Sequence, residues 1–276
     1  MKTSFVAGMV GAALLTTGFL HAEENLVLDG STTVGPIAKA FAEFYMAANP
    51  GVNVTVSESG SGNGAKALLN GSCDIANLSR GMKDTELAAC KEKGVDAKAH
   101  TVAYDALSLI VHPSNPVKEL SREQVNRIYT GEIANWKEVG GVDQAIVVIS
   151  RDTNSGTYES FKDLVLAKDA KIKPGAEYVG SNGAGRQRVQ TTPSAIAFVG
   201  LGFVDATVKA LSIDGVMPSV ETTLDHTYPV ARSLFMYTNG KPAEGSHAAR
   251  FLALAQEPKG REIVEEIGFV PLPEKK

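Results

Sequence analysis

Three segments of the chain share one plan, in which an apolar strand runs into a turn of small polar residues and the turn opens a helix. The fullest example is the turn Arg151–Thr157, which lies between an apolar run at 145–149 and a helical pattern at 158–165. Equivalent turns occupy 29–35 and 59–64. Apolar residues at three- and four-residue spacing indicate helices, and short apolar or alternating runs indicate strands. The repeated plan predicts an α/β fold with mainly parallel sheets flanked by helices.

The residues in these turns are suited to binding an anion. The first turn of a helix has unpaired N–H groups and roughly half a positive charge. Arg151 adds a planar guanidinium that can donate to two oxygens of one tetrahedral anion. Hydroxyl residues at helix starts also serve as simple caps, and Arg151 could instead pair with a surface carboxylate. Because such turns meet at the carboxyl ends of the strands, we predict one oxyanion site that includes Ser31, Thr33, Arg151, Ser155 and Thr157.

Composition restricts the class of ligand and the organisation of the fold. The formal net charge is -4, with 43% hydrophobic and 21% charged residues, whereas a nucleic-acid binder usually has a basic excess. An acidic protein must bind an anion through local geometry and not through its overall field. The 276 residues are enough for two lobes with separate cores. If two lobes form, ordered strands near 105–108 and 226–231 are the natural connections.

The first 22 residues have the pattern of an export signal. Lys2 precedes an apolar run at 5–20, and the charged pair Glu23–Glu24 follows the small residue Ala22. The run is short for a membrane span, although an N-terminal membrane anchor is the alternative. We expect a mature chain that is exported, most simply to a bacterial periplasm. The two cysteines, Cys73 and Cys90, could pair in that compartment or remain separate buried thiols, and the sequence leaves both open.

The sequence gives no support for catalysis. It has no Gly-x-Ser-x-Gly elbow, and His100, His112, His226 and His247 have no spacing that places a base beside a serine. The segment 60–67 lacks the Gly-Lys-Ser/Thr ending of a nucleotide-binding P-loop. No clustered Asp and His residues suggest a metal site. We therefore expect a protein that is not an enzyme and that needs no cofactor and no metal.

Five stretches carry a resemblance to a known family. The chain is similar to the phosphate-binding proteins that feed phosphate ABC transporters, the PstS-like group of periplasmic binding proteins. The order and spacing of these stretches agree with that family over most of the mature chain. They are DGSTTV at 29–34, SGSGNG at 59–64, DIANLSR at 74–80, IYTGEIANW at 128–136 and RDTNSGT at 151–157.

The resemblance implies a two-lobed binding protein of the type II-like class, with two α/β lobes joined by two hinge strands. Lobe 1 would comprise 23–105 and 230–276, and lobe 2 would comprise 106–229. Phosphate would lie between the lobes, and one surface would dock on the membrane permease of the transporter. We expect a periplasmic monomer that binds no nucleic acid.

The resemblance also implies a ligand set drawn from both lobes. Some family members place an aspartate where this chain has Ser79, and that aspartate accepts the proton of phosphate. Asp152 is the nearest alternative acceptor by sequence, and Arg80 could either contact the anion or brace it. The open alternatives are another tetrahedral oxyanion, such as sulfate or molybdate, and a secreted phosphoester hydrolase. The full expected ligand set is Ser31, Thr32, Thr33, Ser61, Ser79, Arg80, Arg151, Asp152, Ser155, Gly156 and Thr157.

Overall fold

Strands and helices alternate along the chain, as the sequence predicts. A computed structural model describes residues 24–274, and the expected export signal at 1–22 lies outside this range. The strands are β1 (Glu24–Gly30), β2 (Val52–Ser57), β3 (Ile75–Leu78), β4 (Ala97–Ala106), β5 (Ser108–Val111), β6 (Glu119–Leu120), β7 (Val147–Arg151), β8 (Glu177–Val179), β9 (Ala195–Val199), β10 (Lys209–Ala210), β11 (Ser212–Ile213) and β12 (Ala231–Asn239). The α-helices are α1 (Gly35–Ala48), α2 (Ser61–Leu69), α3 (Asp84–Glu92), α4 (Arg122–Thr130), α5 (Gly156–Val165), α6 (Asn182–Gln190), α7 (Val220–Leu224), α8 (His247–Ala253) and α9 (Pro258–Glu266).

Two five-stranded sheets organise these elements. The first has the order β2-β1-β3-β12-β4, and the second has the order β10-β5-β9-β7-β8. The α/β prediction is confirmed, but the sheets are mixed and not mainly parallel. The strand–turn–helix units give the parallel pairs β1–β2, β1–β3, β7–β8 and β7–β9. The chain enters the second sheet at β5 and returns to the first sheet at β12. Each of these two strands runs antiparallel to both of its neighbours.

Each sheet is covered on both faces by apolar side chains. In β3, the adjacent residues Ile75 and Ala76 belong to different clusters, since successive side chains of a strand point to opposite faces. The second sheet is covered in the same way, with Phe198 in one cluster and Val199 in the other. Because both sheets have complete cores of their own, each can hold the turns at its edge rigidly.

The chain crosses between the sheets twice, in the two segments expected from the sequence. The first crossing joins β4 to β5 through Leu107, and the second joins α7 to β12. The two crossings are hydrogen-bonded to each other. The Leu107 N–H donates to the Val230 carbonyl at 3.0 Å, and the Tyr228 hydroxyl donates to the Leu107 carbonyl at 2.9 Å. The two crossing segments therefore lie side by side, and hydrogen bonds join them into one short connection between the sheets.

The two cysteines are buried as free thiols in the same apolar cluster, which supports the second of the alternatives left open by the sequence. Burial raises the pKa of Cys73 to about 12, and the nearby charges of Asp29 and Asp74 act in the same direction. A thiol with so high a pKa is a poor nucleophile and metal ligand, because the thiolate is the reactive form. Among residues 24–274, no helix combines the length and the apolar character needed to cross a bilayer.

Candidate functional site

The first sheet contributes three hydroxyl-bearing turns at the ends of parallel strands. Ser31 follows β1, and its Oγ accepts hydrogen bonds from the backbone N–H groups of Thr33 at 3.1 Å and Val34 at 3.3 Å. Ser79 follows β3, and its backbone N–H donates to Ser61 Oγ at 3.1 Å. Ser61 opens α2. The strand–turn–helix plan thus brings Ser31, Ser61 and Ser79 to one edge of the first sheet, where all three are buried.

The second sheet contributes the turn between β7 and α5. Ser155 caps α5, and its Oγ accepts from the Tyr158 N–H at 3.2 Å. Gly156 is so close to the first sheet's turns that a Cβ atom at this position would lie 2.3 Å from Ser61 Oγ and 2.6 Å from Ser79 Oγ. Glycine is therefore needed here for close approach of the two halves of the molecule.

Threonine hydroxyls make the direct contact between the two sides. Thr33 Oγ1 lies 2.9 Å from Thr157 Oγ1, and both residues are almost completely buried. A backbone bond from the Gly62 N–H to the Asn154 carbonyl, at 2.9 Å, joins the same two turns. The structure thus brings together, in one buried central cluster, nine of the predicted site residues: Ser31, Thr32, Thr33, Ser61, Ser79, Arg151, Ser155, Gly156 and Thr157.

Arg151 is the charged member of the central cluster. Its Nε donates to the Val179 carbonyl at 3.0 Å, and its Nη2 donates to the Gly180 carbonyl at 2.9 Å and to Thr32 Oγ1 at 3.3 Å. Its Nη1 is buried and has no hydrogen-bond partner among the described residues. Burial lowers the pKa of Arg151 to about 10; Asp152 raises it in part, and the positive charge of Arg232 lowers it further. The guanidinium is therefore fixed in orientation but only partly satisfied.

Three residues that the sequence-based prediction did not include also belong to this site. Arg232 on β12 pairs with Asp105 on β4, where Nη2 lies 2.7 Å and Nε lies 2.9 Å from Asp105 Oδ2. Asn182, the first residue of α6, donates from Nδ2 to the hydroxyls of Thr32 at 3.0 Å and Thr33 at 2.9 Å. Asn182 could have been found, since it follows β8 in the same strand–turn–helix plan as the predicted ligands.

Two predicted residues lie outside the central cluster. Arg80 donates to the two carboxylate oxygens of Glu86 at 2.7 and 2.8 Å. Asp152 is half-buried, and its Oδ1 accepts from the backbone N–H of Asn154 at 2.8 Å within their own turn. In this arrangement Arg80 braces the segment after β3, and Asp152 shapes the turn before α5.

The chemistry of the central cluster favours an anion. Its hydroxyl and backbone groups can donate hydrogen bonds, and it holds two buried guanidinium groups, Arg151 and Arg232, but one buried carboxylate, Asp105, which pairs with Arg232. A buried positive charge is costly unless it is paired, so an anion with several acceptor oxygens is the matching ligand. Within residues 24–274, no three His, Cys, Asp or Glu side chains gather in a group that could hold a metal ion.

Replacing Arg80 by methionine should reduce stability without removing the ligand site. We expect a loss of about 1–3 kcal/mol in the free energy of unfolding, because hydrogen bonds to a charged group contribute about that much. Affinity for phosphate, the ligand implied by the resemblance, should change by less than about threefold, since the Arg80 guanidinium is already bound to Glu86. Urea unfolding and calorimetric titration would measure the two quantities.

The stability loss from this substitution should depend on pH. Burial raises the pKa of Glu86, but hydrogen bonds from Arg80 and from the Lys83 backbone lower it more, so the net pKa lies below the ordinary 4.5. Because the folded state holds this proton more weakly than the unfolded state, the pair stabilises the fold above about pH 4.5 and ceases to do so as the pH falls further. The difference in the free energy of unfolding between wild type and Arg80→Met should therefore become smaller as the pH falls below about 4.5.

The affinity measurement has its own contrary outcome. If Arg80→Met lowered phosphate affinity more than tenfold, Arg80 would contact the anion.

A family model and two similar proteins of known name agree on the family to which the chain is related. Residues 17–256 match the model of the PBP superfamily domain. The phosphate-binding protein PstS of Borreliella burgdorferi is 35% identical over 280 residues, which cover 98% of each chain. PstS of Bacillus subtilis is 34% identical over 92% of this chain and 83% of its own length.

Solved structures agree with these relatives. A protein from Clostridium perfringens, assigned as a phosphate ABC transporter substrate-binding protein and crystallised with bound phosphate, is 32% identical with a TM-score of 0.84. The match covers 91% of this chain and 100% of the other. An ABC-type phosphate transport receptor from Vibrio cholerae is also 32% identical, with a TM-score of 0.73 over 90% of this chain and 100% of its own.

Proposed function

The chain belongs to the PstS family of phosphate-binding proteins, within the PBP superfamily, and from this premise we infer that it binds inorganic phosphate in the central cluster and delivers it to the permease of an ABC transporter. The observation that carries this inference is the buried Arg151 guanidinium, whose Nη1 has no partner among the described residues and whose Nη2 contacts the Thr32 hydroxyl of the central cluster. A tetrahedral anion would supply that partner and accept from the hydroxyl groups at the same time.

The magnitudes are compatible with tight binding. A hydrogen bond to a charged group contributes about 1.5–3 kcal/mol, so eight such bonds would give more than about 12 kcal/mol. Micromolar affinity needs only about 8 kcal/mol. The excess of the summed hydrogen-bond contribution over the binding free energy is required to offset two costs. These are the removal of water from a multiply charged anion and the ordering of the bound state. Most members of the central cluster are therefore needed to make burial of the anion tolerable.

Closure of two lobes would explain how the anion enters a site that is buried here. We propose that the moving units are lobe 1, at 23–105 and 230–276, and lobe 2, at 106–229, hinged at the paired crossings. Several contacts between the sheets would form on closure, including the ion pair between Lys83 and Glu159 at 3.0 Å and the Ser160 hydroxyl bond to the Ser79 carbonyl at 3.2 Å. A ligand that touches both lobes favours the closed state.

The proposed function also implies a cellular role for the protein. The protein would act outside the cytoplasmic membrane, in the periplasm, after removal of the N-terminal signal, and would work as a monomeric carrier without turnover. The transporter permease would distinguish the loaded protein from the empty one by its closed shape. The PstS relatives and the Clostridium perfringens structure are named as binding or transport proteins, which supports a carrier in preference to a phosphoester hydrolase.

Sulfate and molybdate are the alternative tetrahedral ligands, so the site must be able to distinguish phosphate from them. Sulfate carries no proton at neutral pH, so a buried acceptor facing it would stay unpaired at a cost of about 1–3 kcal/mol. In this chain Ser79, whose Oγ lies 3.3 Å from Ser61 Oγ, stands where some family members have an aspartate. A hydroxyl both donates and accepts, so we propose that Ser79 accepts a hydrogen bond from the phosphate O–H and that it discriminates less against sulfate than an aspartate would.

A thermal-shift series with the mature chain would test the function. Phosphate should raise the melting temperature at a concentration at which sulfate and molybdate have little effect, since a ligand that binds only the folded state stabilises it. A larger shift with sulfate or molybdate would reassign the ligand. In parallel, a chromogenic phosphate ester should release no phosphate, and catalytic release would establish a hydrolase instead.

A further inference from the structure

Arg232 is almost as deeply buried as Arg151 and is likewise only partly satisfied. Its side chain is 5% exposed, and that of its partner Asp105 is 0% exposed. Nε and Nη2 both donate to Asp105 Oδ2, whereas Nη1 is buried without a partner among the described residues. One side of the guanidinium is thus held by a carboxylate, and Nη1 is left to donate elsewhere.

The groups beside Arg232 are the predicted anion ligands. Nη2 lies 3.2 Å from Thr157 Oγ1 and 3.4 Å from Thr33 Oγ1, which are the two hydroxyls that touch each other across the sheets. The charge of Arg232 also lowers the pKa of Arg151, so the two cations are close enough to repel each other. Two buried like charges with unpartnered N–H groups, on either side of a set of hydroxyls, indicate a shared counter-ion.

Asp105 fixes Arg232 relative to both halves of the molecule. Arg232 and Asp105 face each other in the register of β4 and β12, the strands next to the two crossings. The other oxygen of Asp105, Oδ1, accepts from the Leu201 N–H at 2.8 Å, and Leu201 follows β9 of the second sheet. Asp105 thus holds Arg232 through Oδ2 and is itself anchored to the second sheet through Oδ1.

We propose that Arg232 is a second guanidinium ligand of the bound anion, positioned by Asp105. This proposal rests on the proposed function and adds a ligand residue to it. The buried side chains around the site, Arg151 and Arg232 against Asp105, have one excess positive charge before the anion binds. Because Asp105 already pairs with Arg232, the anion supplies the counter-charge that the two guanidinium groups together lack.

The first test is a crystal structure of the wild-type protein grown with phosphate. We expect a phosphate oxygen at about 2.7–2.9 Å from Arg232 Nη1, the usual length of a charge-assisted N–H···O bond. Phosphate that contacts Arg151 but leaves Arg232 Nη1 without an oxygen would overturn the role of Arg232 and leave the proposed function intact. Absence of phosphate between the two sheets would overturn both.

The second test measures affinity by calorimetry in the double variant Asp105→Asn/Arg232→Met. Both charges are removed together, because a single substitution would leave the other charge buried and unpaired. Phosphate affinity should fall by at least about tenfold. The matched control is Arg122→Met/Asp214→Asn, an exposed pair with a similar Nε–Oδ2 contact of 2.8 Å, which should stay within about twofold of wild type. Equal affinity of the two double variants would contradict a ligand role for Arg232.

Discussion

Replacing Arg151 by methionine should weaken phosphate binding by at least about 100-fold while the protein remains folded. Two hydrogen bonds from this guanidinium to the anion would contribute about 3–6 kcal/mol at about 1.5–3 kcal/mol each, and about 1.4 kcal/mol corresponds to tenfold in affinity. The fold should tolerate the change. Burial desolvates the charged guanidinium and lowers its pKa, and methionine has a similar length without the charge.

Calorimetry would give the affinity, and thermal unfolding without ligand would give the stability. Arg122→Met is a suitable control, since it removes an arginine whose side chain is half exposed and pairs with Asp214 away from the central cluster. The control should bind phosphate as wild type does. If Arg151→Met and the control had the same affinity, Arg151 would not be a ligand.

Replacing Gly156 by alanine should also impair binding strongly, through a different cause. The added Cβ would meet Ser61 Oγ and Ser79 Oγ at 2.3 and 2.6 Å, both below any ordinary contact distance, so the two sheets could not approach as closely. Overpacking of this kind costs typically about 1–3 kcal/mol, which corresponds to a loss of about 5- to 150-fold in affinity if the closed state carries the cost. Calorimetry with phosphate would measure this loss.

Unfolding of the ligand-free protein should change little in Gly156→Ala, because lobes that are apart leave room for the methyl group. Gly183→Ala provides the matched control near the start of α6. A Cβ there would have its nearest neighbour at 3.9 Å, so affinity should remain near that of wild type. Retained affinity in Gly156→Ala would show that the two turns do not need to meet when phosphate binds.

Much of the central cluster was predictable because its signals are local. Ser31, Ser61 and Arg151 each lie at a junction between a strand and the helix that follows it, and that arrangement brings all three to the carboxyl ends of the strands. In these cases short-range pattern and tertiary structure agree.

Two of the missed residues, Arg232 and Asp105, depend on pairing between distant parts of the chain. Arg232 meets Asp105 only through the antiparallel register of β4 and β12, and no spacing within either strand indicates it. The mixed character of the sheets has the same origin, because the direction of β5 and β12 depends on how the chain crosses between halves. The Arg80–Glu86 contact is more local, since Glu86 lies in the first turn of α3 and also accepts from the Lys83 N–H at 2.9 Å.

Calorimetric titration of the mature wild-type chain with inorganic phosphate most directly tests whether the turns of the two sheets share one buried anion. One phosphate should bind per chain, with a Kd of about 1 μM or lower, equivalent to about 8 kcal/mol or more, and this binding should disappear in Arg151→Met. No saturable heat at millimolar phosphate, or binding that Arg151→Met leaves unchanged, would show that the central cluster is not a phosphate site.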